Sequence, residues 1–329
     1  MDRIAFIMGE TFVYWSAIIL TLAAATAACA FVALYLGRTG KAISAALAVP
    51  MALVFSLIMA RFMHWYCRAD SYESFFVAMT DHSSGGYALM GVFGGCLLAA
   101  VVLRVLFIIR DLPEMLDCMC IAGSLGVAIG RLGSFFNSSD RGQIIEGMTE
   151  LPWVYPVTNA VSGAVEYRLA TFVIQAMAAA AIFVVLLLVW LVNGKKKGRS
   201  GDVTLLFLLL YGVSQVVLDS TRYDSLFFRS NGFVSIVQVL GALGLGVAIF
   251  VYSRRLVKNR GFRGWYLAFW IPIVALIGGA GYMEYHVQRH GDQAAFAYSV
   301  MSGCLGLVVL LTLVVRAVGW MKKAVAEIN

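Results

Sequence analysis

Long apolar runs separated by short polar stretches dominate this chain. Runs of roughly 17–25 residues match the thickness of a bilayer's hydrocarbon core when they are helical. They predict spans at about 12–36, 42–60, 87–109, 115–133, 169–192, 203–219, 233–252, 265–282 and 296–318. Apolar character past Ser56 continues toward Tyr66, and the fourth run is rich in glycine. The expected fold class is all-α, a polytopic transmembrane helix bundle of about nine spans. The first run is too long, and its start too poor in basic residues, for a cleavable signal peptide, so it is expected to stay in the membrane. No internal repeat or low-complexity segment is visible.

Charge orients the predicted bundle. Alternate connections hold Arg38 with Lys41, Arg104 with Arg110, the cluster Lys195 to Arg199, the basic stretch Arg254 to Arg263, and Arg316 with Lys322 and Lys323. Every lysine and half of the arginines fall on that side, which the positive-inside rule makes cytoplasmic. The N-terminus is then outside and the C-terminus inside. The basic 253–263 stretch also suits a contact with anionic inner-leaflet lipids. The opposite face carries the richer polar segments, at 61–86, 134–168, 220–232 and 283–295, and a connection of some 35 residues in a small bundle is more often functional than idle.

Composition agrees with lipid as the solvent, since 61% of the 329 residues are hydrophobic and 13% charged. The net charge of +7 does not suggest nucleic acid, because the basic residues form topology clusters and no basic face. Of the six cysteines, five lie in or at the ends of apolar runs, which is no disulfide framework. Cys118 and Cys120 read as small packing residues. His64, with Arg61, Trp65, Arg68 and Glu73, reads as interfacial anchoring. His286 and His290 are too few for a metal, and no metal site or cofactor is expected.

Three segments on the predicted outer face carry chemistry. Gly130-Arg131-Leu132-Gly133-Ser134-Phe135-Phe136-Asn137 continues through Asp140 to Gly142, with Arg131 closing the fourth span. An arginine at that depth either snorkels or meets an anion, and the glycines admit a close neighbour, helix or lipid. Tyr211-Gly212 and then Asp219-Ser220-Thr221-Arg222-Tyr223-Asp224 close the sixth span. Arg222 could face Arg131, where two guanidiniums repel unless an anion such as a lipid phosphate joins them. It could equally pair with Asp219 or Asp224. The third segment, His82 to Gly95, brings Gly85, Gly86 and Gly91 into the third span and exposes backbone N–H groups to an anion.

These segments, in this order, resemble the bacterial prolipoprotein diacylglyceryl transferases. The likeness rests on Gly130, Arg131, Gly133, Phe135, Asn137 and Gly142, followed by Leu151-Pro152-Trp153. It extends to Gly85, Gly86 and Gly91, to Tyr211, Gly212, Arg222 and, one residue early, Asp224, to Ser235 and Gln238, and to Gly9 and Trp15 near the start. It covers about residues 4–250, which suggests a seven-span transferase-like core at 1–252 and a two-span extension at 253–329. The resemblance implies transfer of the diacylglyceryl group of phosphatidylglycerol to the lipobox cysteine of a prolipoprotein. That reaction belongs at the outer leaflet of the bacterial plasma membrane, with the prolipoprotein signal peptide as the second partner. Arg131 and Arg222 are then catalytic, with Gly130, Gly133, Ser134, Asn137, Gly142, Gly85, Gly86, Tyr87, Gly91 and Tyr211 at the lipid.

Departures from the family are specific. Its histidine in the glycine segment falls on Met90, its first-span tyrosine on Ser16, and its second asparagine on Ser134. Its glutamate falls on Ser139, with Asp140 one step away. Its His-Pro-Ser and Glu-Ala read Leu169-Ala170-Thr171 and Gln175-Ala176. His82, Asp140 and Tyr87 are the candidates to replace the missing acid–base groups; His82 also reads as an ordinary solvated loop histidine. Two alternatives stand beside the enzyme: a non-catalytic relative that binds phospholipid or lipoprotein as an accessory factor, and a lipid or anion transporter. The second lacks an inverted repeat.

Overall fold

The computed structural model describes residues 3–9, 11–81, 85–137, 140–144, 154–158, 162–194, 200–228, 231–289 and 293–326. Its long helices are α1 (Trp15–Thr39), α2 (Ala42–Cys67), α4 (Leu89–Val105), α5 (Leu112–Arg131), α6 (Thr171–Asn193), α7 (Asp202–Ser220), α8 (Ile236–Arg260), α9 (Leu267–Arg289) and α10 (Ala294–Ala326), with a short α3 at Phe75–Thr80. Each predicted span falls on one of these helices. Among the described residues, eight segments are long and apolar enough to cross a membrane. The other, α4, has 17 residues, at the short end for a spanning helix.

Differences lie at the helix ends. Helix α1 begins at Trp15, because Ile4–Met8 (β1) and Thr11–Tyr14 (β2) form an antiparallel hairpin. Helix α4 stops at Val105, and Phe107 turns the chain at φ +58°. Val154–Thr158 (β3) pairs with Val165–Leu169 (β4), and Phe227–Phe228 (β5) with Asn231–Ser235 (β6). Hairpins satisfy backbone groups that a bare loop at a membrane boundary would leave unpaired.

The chain packs as two compact units, one of residues 1–207 and 221–237, the other of residues 208–220 and 238–329. In the first unit, small residues let the helices approach closely. A Cβ on Gly91 or Gly95 of α4 would lie 2.3–2.6 Å from backbone atoms of α2 at Phe55, Ser56, Met59 and Ala60. Gly126 of α5 lies tight on α1, where a Cβ would come 3.0 Å from Ala27 Cβ, while Gly130 and Gly133 sit in ordinary contact with Ala23 and Ser16 of α1. At the opposite end of these helices, Arg38 pairs with Glu114 at 2.8 Å and lies over the Trp190 ring. Buried Asp117 accepts the backbone N–H groups of Gly201 and Thr204, so α5 caps the start of α7. These contacts fix α1, α5 and α6 at one end, and the polar site forms at the other.

In the second unit, Gly212 and Gly241 bring α7 and α8 together, the Gln238 amide donates to the Val216 carbonyl, and α9 pairs with α10. Tyr298 of α10 donates to the Ser220 carbonyl at 3.1 Å.

Candidate active site

Past Arg131, α5 tightens into a 3-10 turn at Leu132–Phe135. Phe135 packs on Phe172 at 4.6 Å between ring centroids, and Phe136 on Trp15 at 5.8 Å. The turn aims two polar groups at Asp140. Arg131 Nη1 lies 2.5 Å from Asp140 Oδ1, and the Ser134 hydroxyl donates to Oδ2 at 2.8 Å. Asp140 holds φ +58°, a left-handed conformation that Asp tolerates better than most residues.

Beyond Asp140 the chain runs extended between two neighbours. Gly142 N donates to the Leu169 carbonyl at 2.8 Å, Leu169 N returns a bond to Gln143, Gln143 N donates to Thr221, and Tyr223 N donates to Arg141. This ladder places Arg222 opposite Gly142 and turns its side chain onto the same acid. Arg222 Nη2 lies 2.8 Å from Asp140 Oδ1. Its Nε and Nη2 also bond Asp224 Oδ1 at 3.1 and 2.9 Å, while Asp224 Oδ2 accepts the Asp140 backbone N–H at 2.8 Å.

Two guanidiniums from separate elements therefore converge on one carboxylate oxygen. Burial alone would raise the pKa of Asp140, but Arg131 and then Arg222 outweigh it and hold the acid well below the usual carboxylate range. Asp140 thus stands between two like charges as their shared counter-charge.

The other expected residues fall as follows. Asn137 offers its carbonyl to Arg141 Nη2 at 2.7 Å. Gly142 is filled on its open side: a Cβ would lie 2.6 Å from both Leu169 Cβ and Thr171 Oγ1. Gly130, Gly133 and Gly91 face α1 and α2, so of the two neighbours the sequence allowed them, helix or lipid, these glycines meet a helix. Gly85 and Gly86 take φ +69° and +86°. Tyr87, like Tyr72, lies against Arg61, and Met90 is buried. Tyr211 is buried in the second unit. His82 lies outside the described residues.

Sequence reasoning missed two arginines. Arg61 is no interfacial anchor; it is 1% exposed, and its guanidinium donates to the backbone carbonyls of Ala78, Asp81, Gly85 and Gly86. It pins the segment that leads into α4. The signal was present in the apolar run that continues past it toward Tyr66. Arg141 is 4% exposed, with its guanidinium 4.1 Å from the Tyr155 ring and 4.5 Å from that of Phe172. Among the described residues no group of three or more His, Cys, Asp or Glu could hold a metal.

Comparison with known proteins places this arrangement. Residues 3–254 match the family described as prolipoprotein diacylglyceryl transferase. A phosphatidylglycerol–prolipoprotein diacylglyceryl transferase of Finegoldia magna is 27% identical over 264 residues, which are 79% of this chain and 99% of that one. Proteins of the same name from Streptococcus sanguinis and Clostridioides difficile are 26% and 27% identical. Those matches cover 63% and 65% of this chain, and 77% and 79% of theirs. Apolar helices and bacterial relatives together describe a multi-pass bacterial membrane protein. Helices α9 and α10 lie beyond residues 3–254, which the family model matches.

Proposed function

The chain belongs to the prolipoprotein diacylglyceryl transferase family, and on that footing we propose that it moves the diacylglyceryl group of phosphatidylglycerol onto the lipobox cysteine of a prolipoprotein. The observation that supports this most is the single Asp140 oxygen held by both Arg131 and Arg222. A position where two guanidiniums meet one anionic oxygen suits a lipid phosphate, which takes charge-assisted bonds of the same geometry.

In the proposed reaction the cysteine loses its proton and the thiolate attacks the glycerol carbon. A carbon–sulfur bond forms, the carbon–oxygen bond to phosphate breaks, and its electron pair stays on the phosphate oxygen. Glycerol 1-phosphate leaves with one more negative charge than the phosphate carried as a diester. Fixed cations are worth most where such charge develops in a water-poor site. Asp140 serves as the counter-ion that keeps Arg131 and Arg222 converged, and His82 is assigned the cysteine's proton. The site faces the outer leaflet, where the signal helix of the prolipoprotein reaches it from the lipid, and the core at 1–252 carries it without the extension at 253–329.

The test is reconstitution of the full chain with phosphatidylglycerol and a lipobox peptide. Thioether product and glycerol 1-phosphate are expected in equal amounts. Lipid binding without turnover would overturn the enzyme reading in favour of an accessory, lipid-holding relative. That second reading draws on buried Met90, which offers no proton acceptor where the family resemblance places a histidine.

A further inference from the structure

Arg141 directly follows the acid at the centre of the site and is placed unlike its two neighbours. Arg131 and Arg222 each have a carboxylate partner. Arg141 lies close enough to Asp140 and Asp224 to feel their charge, yet among the described residues it bonds neither. Its Nη2 is tethered to the carbonyls of Ser134 and Asn137, at 2.8 and 2.7 Å. Among the described residues its buried Nε and Nη1, like Nε of Arg131, meet no acceptor in good hydrogen-bond geometry, and the Tyr155 side chain is the polar group that acts on the guanidinium most. Buried donors are nearly always bonded, and an orphan in a native structure asks for an acceptor that is missing.

Among the described residues, three guanidiniums stand here against the two carboxylates of Asp140 and Asp224, and Arg141 forms an ion pair with neither. The rings of Tyr155 and Phe172 hold its plane and keep water off it.

We propose that Arg141 is a third substrate-contacting guanidinium, whose Nε–H and Nη1–H take up the second negative charge that appears on the phosphate as its bond to the glycerol carbon breaks. Arg131 and Arg222 hold the singly charged diester, and Arg141 favours the doubly charged monoester that leaves. The assignment rests on the transferase reading above for its substrate, although its charge preference can be measured without turnover.

The experiment titrates the full chain in detergent with two soluble anions, glycerol 1-phosphate as monoester and glycerophosphoglycerol as diester. Wild type is expected to prefer the monoester. Arg141→Gln should weaken the monoester by about 10- to 100-fold and the diester by no more than about 3-fold, and Arg141→Lys should restore only part of the difference. In turnover, kcat for Arg141→Gln should fall about 100-fold with KM for phosphatidylglycerol nearly unchanged. Equal weakening of both anions, with a lowered Tm, would make Arg141 a structural cross-link and overturn the proposal, as would no change in either. Wild type that separates the anions but makes no thioether removes the transferase reading and keeps the charge assignment. Turnover that Arg141→Gln leaves intact removes the assignment alone.

Discussion

Arg131 and Arg222, 91 positions apart in the numbering of the chain, meet at one atom. Oδ1 of Asp140 lies 2.5 Å from the first guanidinium and 2.8 Å from the second. Two cations at such separation repel, so the arrangement persists because Asp140 stands between them and Asp224 braces both Arg222 and the Asp140 backbone. On the proposed reading, the lipid phosphate is drawn to this position, which is already organised for negative charge.

Removing either cation should therefore remove the reaction. Arg131→Ala and Arg222→Ala are each expected to lower kcat by about 10²–10³-fold or more. Lysine should rescue poorly, because a point charge does not reproduce a planar fork. Near-wild-type thioether formation by either alanine variant would exclude that arginine from charge stabilisation.

Asp140→Asn takes away the shared counter-ion. Breaking a buried pair in this way costs about 3–5 kcal/mol, read as a lower Tm in detergent. Phosphatidylglycerol should then raise the Tm of the variant more than that of wild type, since the lipid phosphate fills the vacated place between the arginines. Equal lipid-induced shifts in the two proteins would show that the carboxylate and the phosphate use different positions.

The pH dependence has a definite sign. Asp140 is held below its unfolded-state pKa by Arg131 and Arg222, so its contribution is fully present above that unfolded value of about 3.9. It is lost as pH falls through the lower folded value. Thermal stability measured between pH 8 and about 4.5 should show no contribution from Asp140 titration. Further acidification should cost wild type more than Asp140→Asn. A midpoint near pH 6–7 that disappears in Asp140→Asn would contradict this placement.

Gly142→Ala tests the ladder that delivers Arg222. The new Cβ would sit 2.6 Å from Leu169 Cβ and Thr171 Oγ1, so the strand must shift away from β4. Overpacking of this kind costs about 1–3 kcal/mol, and activity should fall with it through displaced Arg222. Unaltered Tm and kcat would mean that the extended segment at 141–144 has freedom the ladder denies it.

Arg61→Met should loosen the lead-in to α4 while sparing the arginine pair. Each carbonyl among Ala78, Asp81, Gly85 and Gly86 left dry costs about 1–3 kcal/mol. Limited proteolysis should cut the variant between residues 78 and 87 faster than wild type. Equal cleavage rates would show that the carbonyl cage does not hold the segment.

Residue type and order along this chain determined a good deal. Period and length of the apolar runs placed the membrane helices, because a bilayer demands that each crossing satisfy its own backbone. The Gly-Arg segment and the Tyr-Gly to Arg222 segment singled out the two arginines that the structure brings onto one carboxylate oxygen. Helix ends were legible only within several residues, since neither the β1–β2 hairpin nor the halt at Phe107 has an apolar signature.

Only the tertiary structure decided partnership. Whether Arg222 met Asp219, Asp224 or a point shared with Arg131 depended on a ladder between Gly142, Leu169 and Thr221, whose members lie far apart in the chain. Gly130 and Gly133 turned toward α1 for the same reason: a glycine permits a close neighbour without naming it. Burial separated Arg61 and Arg141 from ordinary interfacial arginines, and burial is a property of packing between segments. Local pattern sets which groups are present at a depth in the membrane, and long-range contacts set which of them meet.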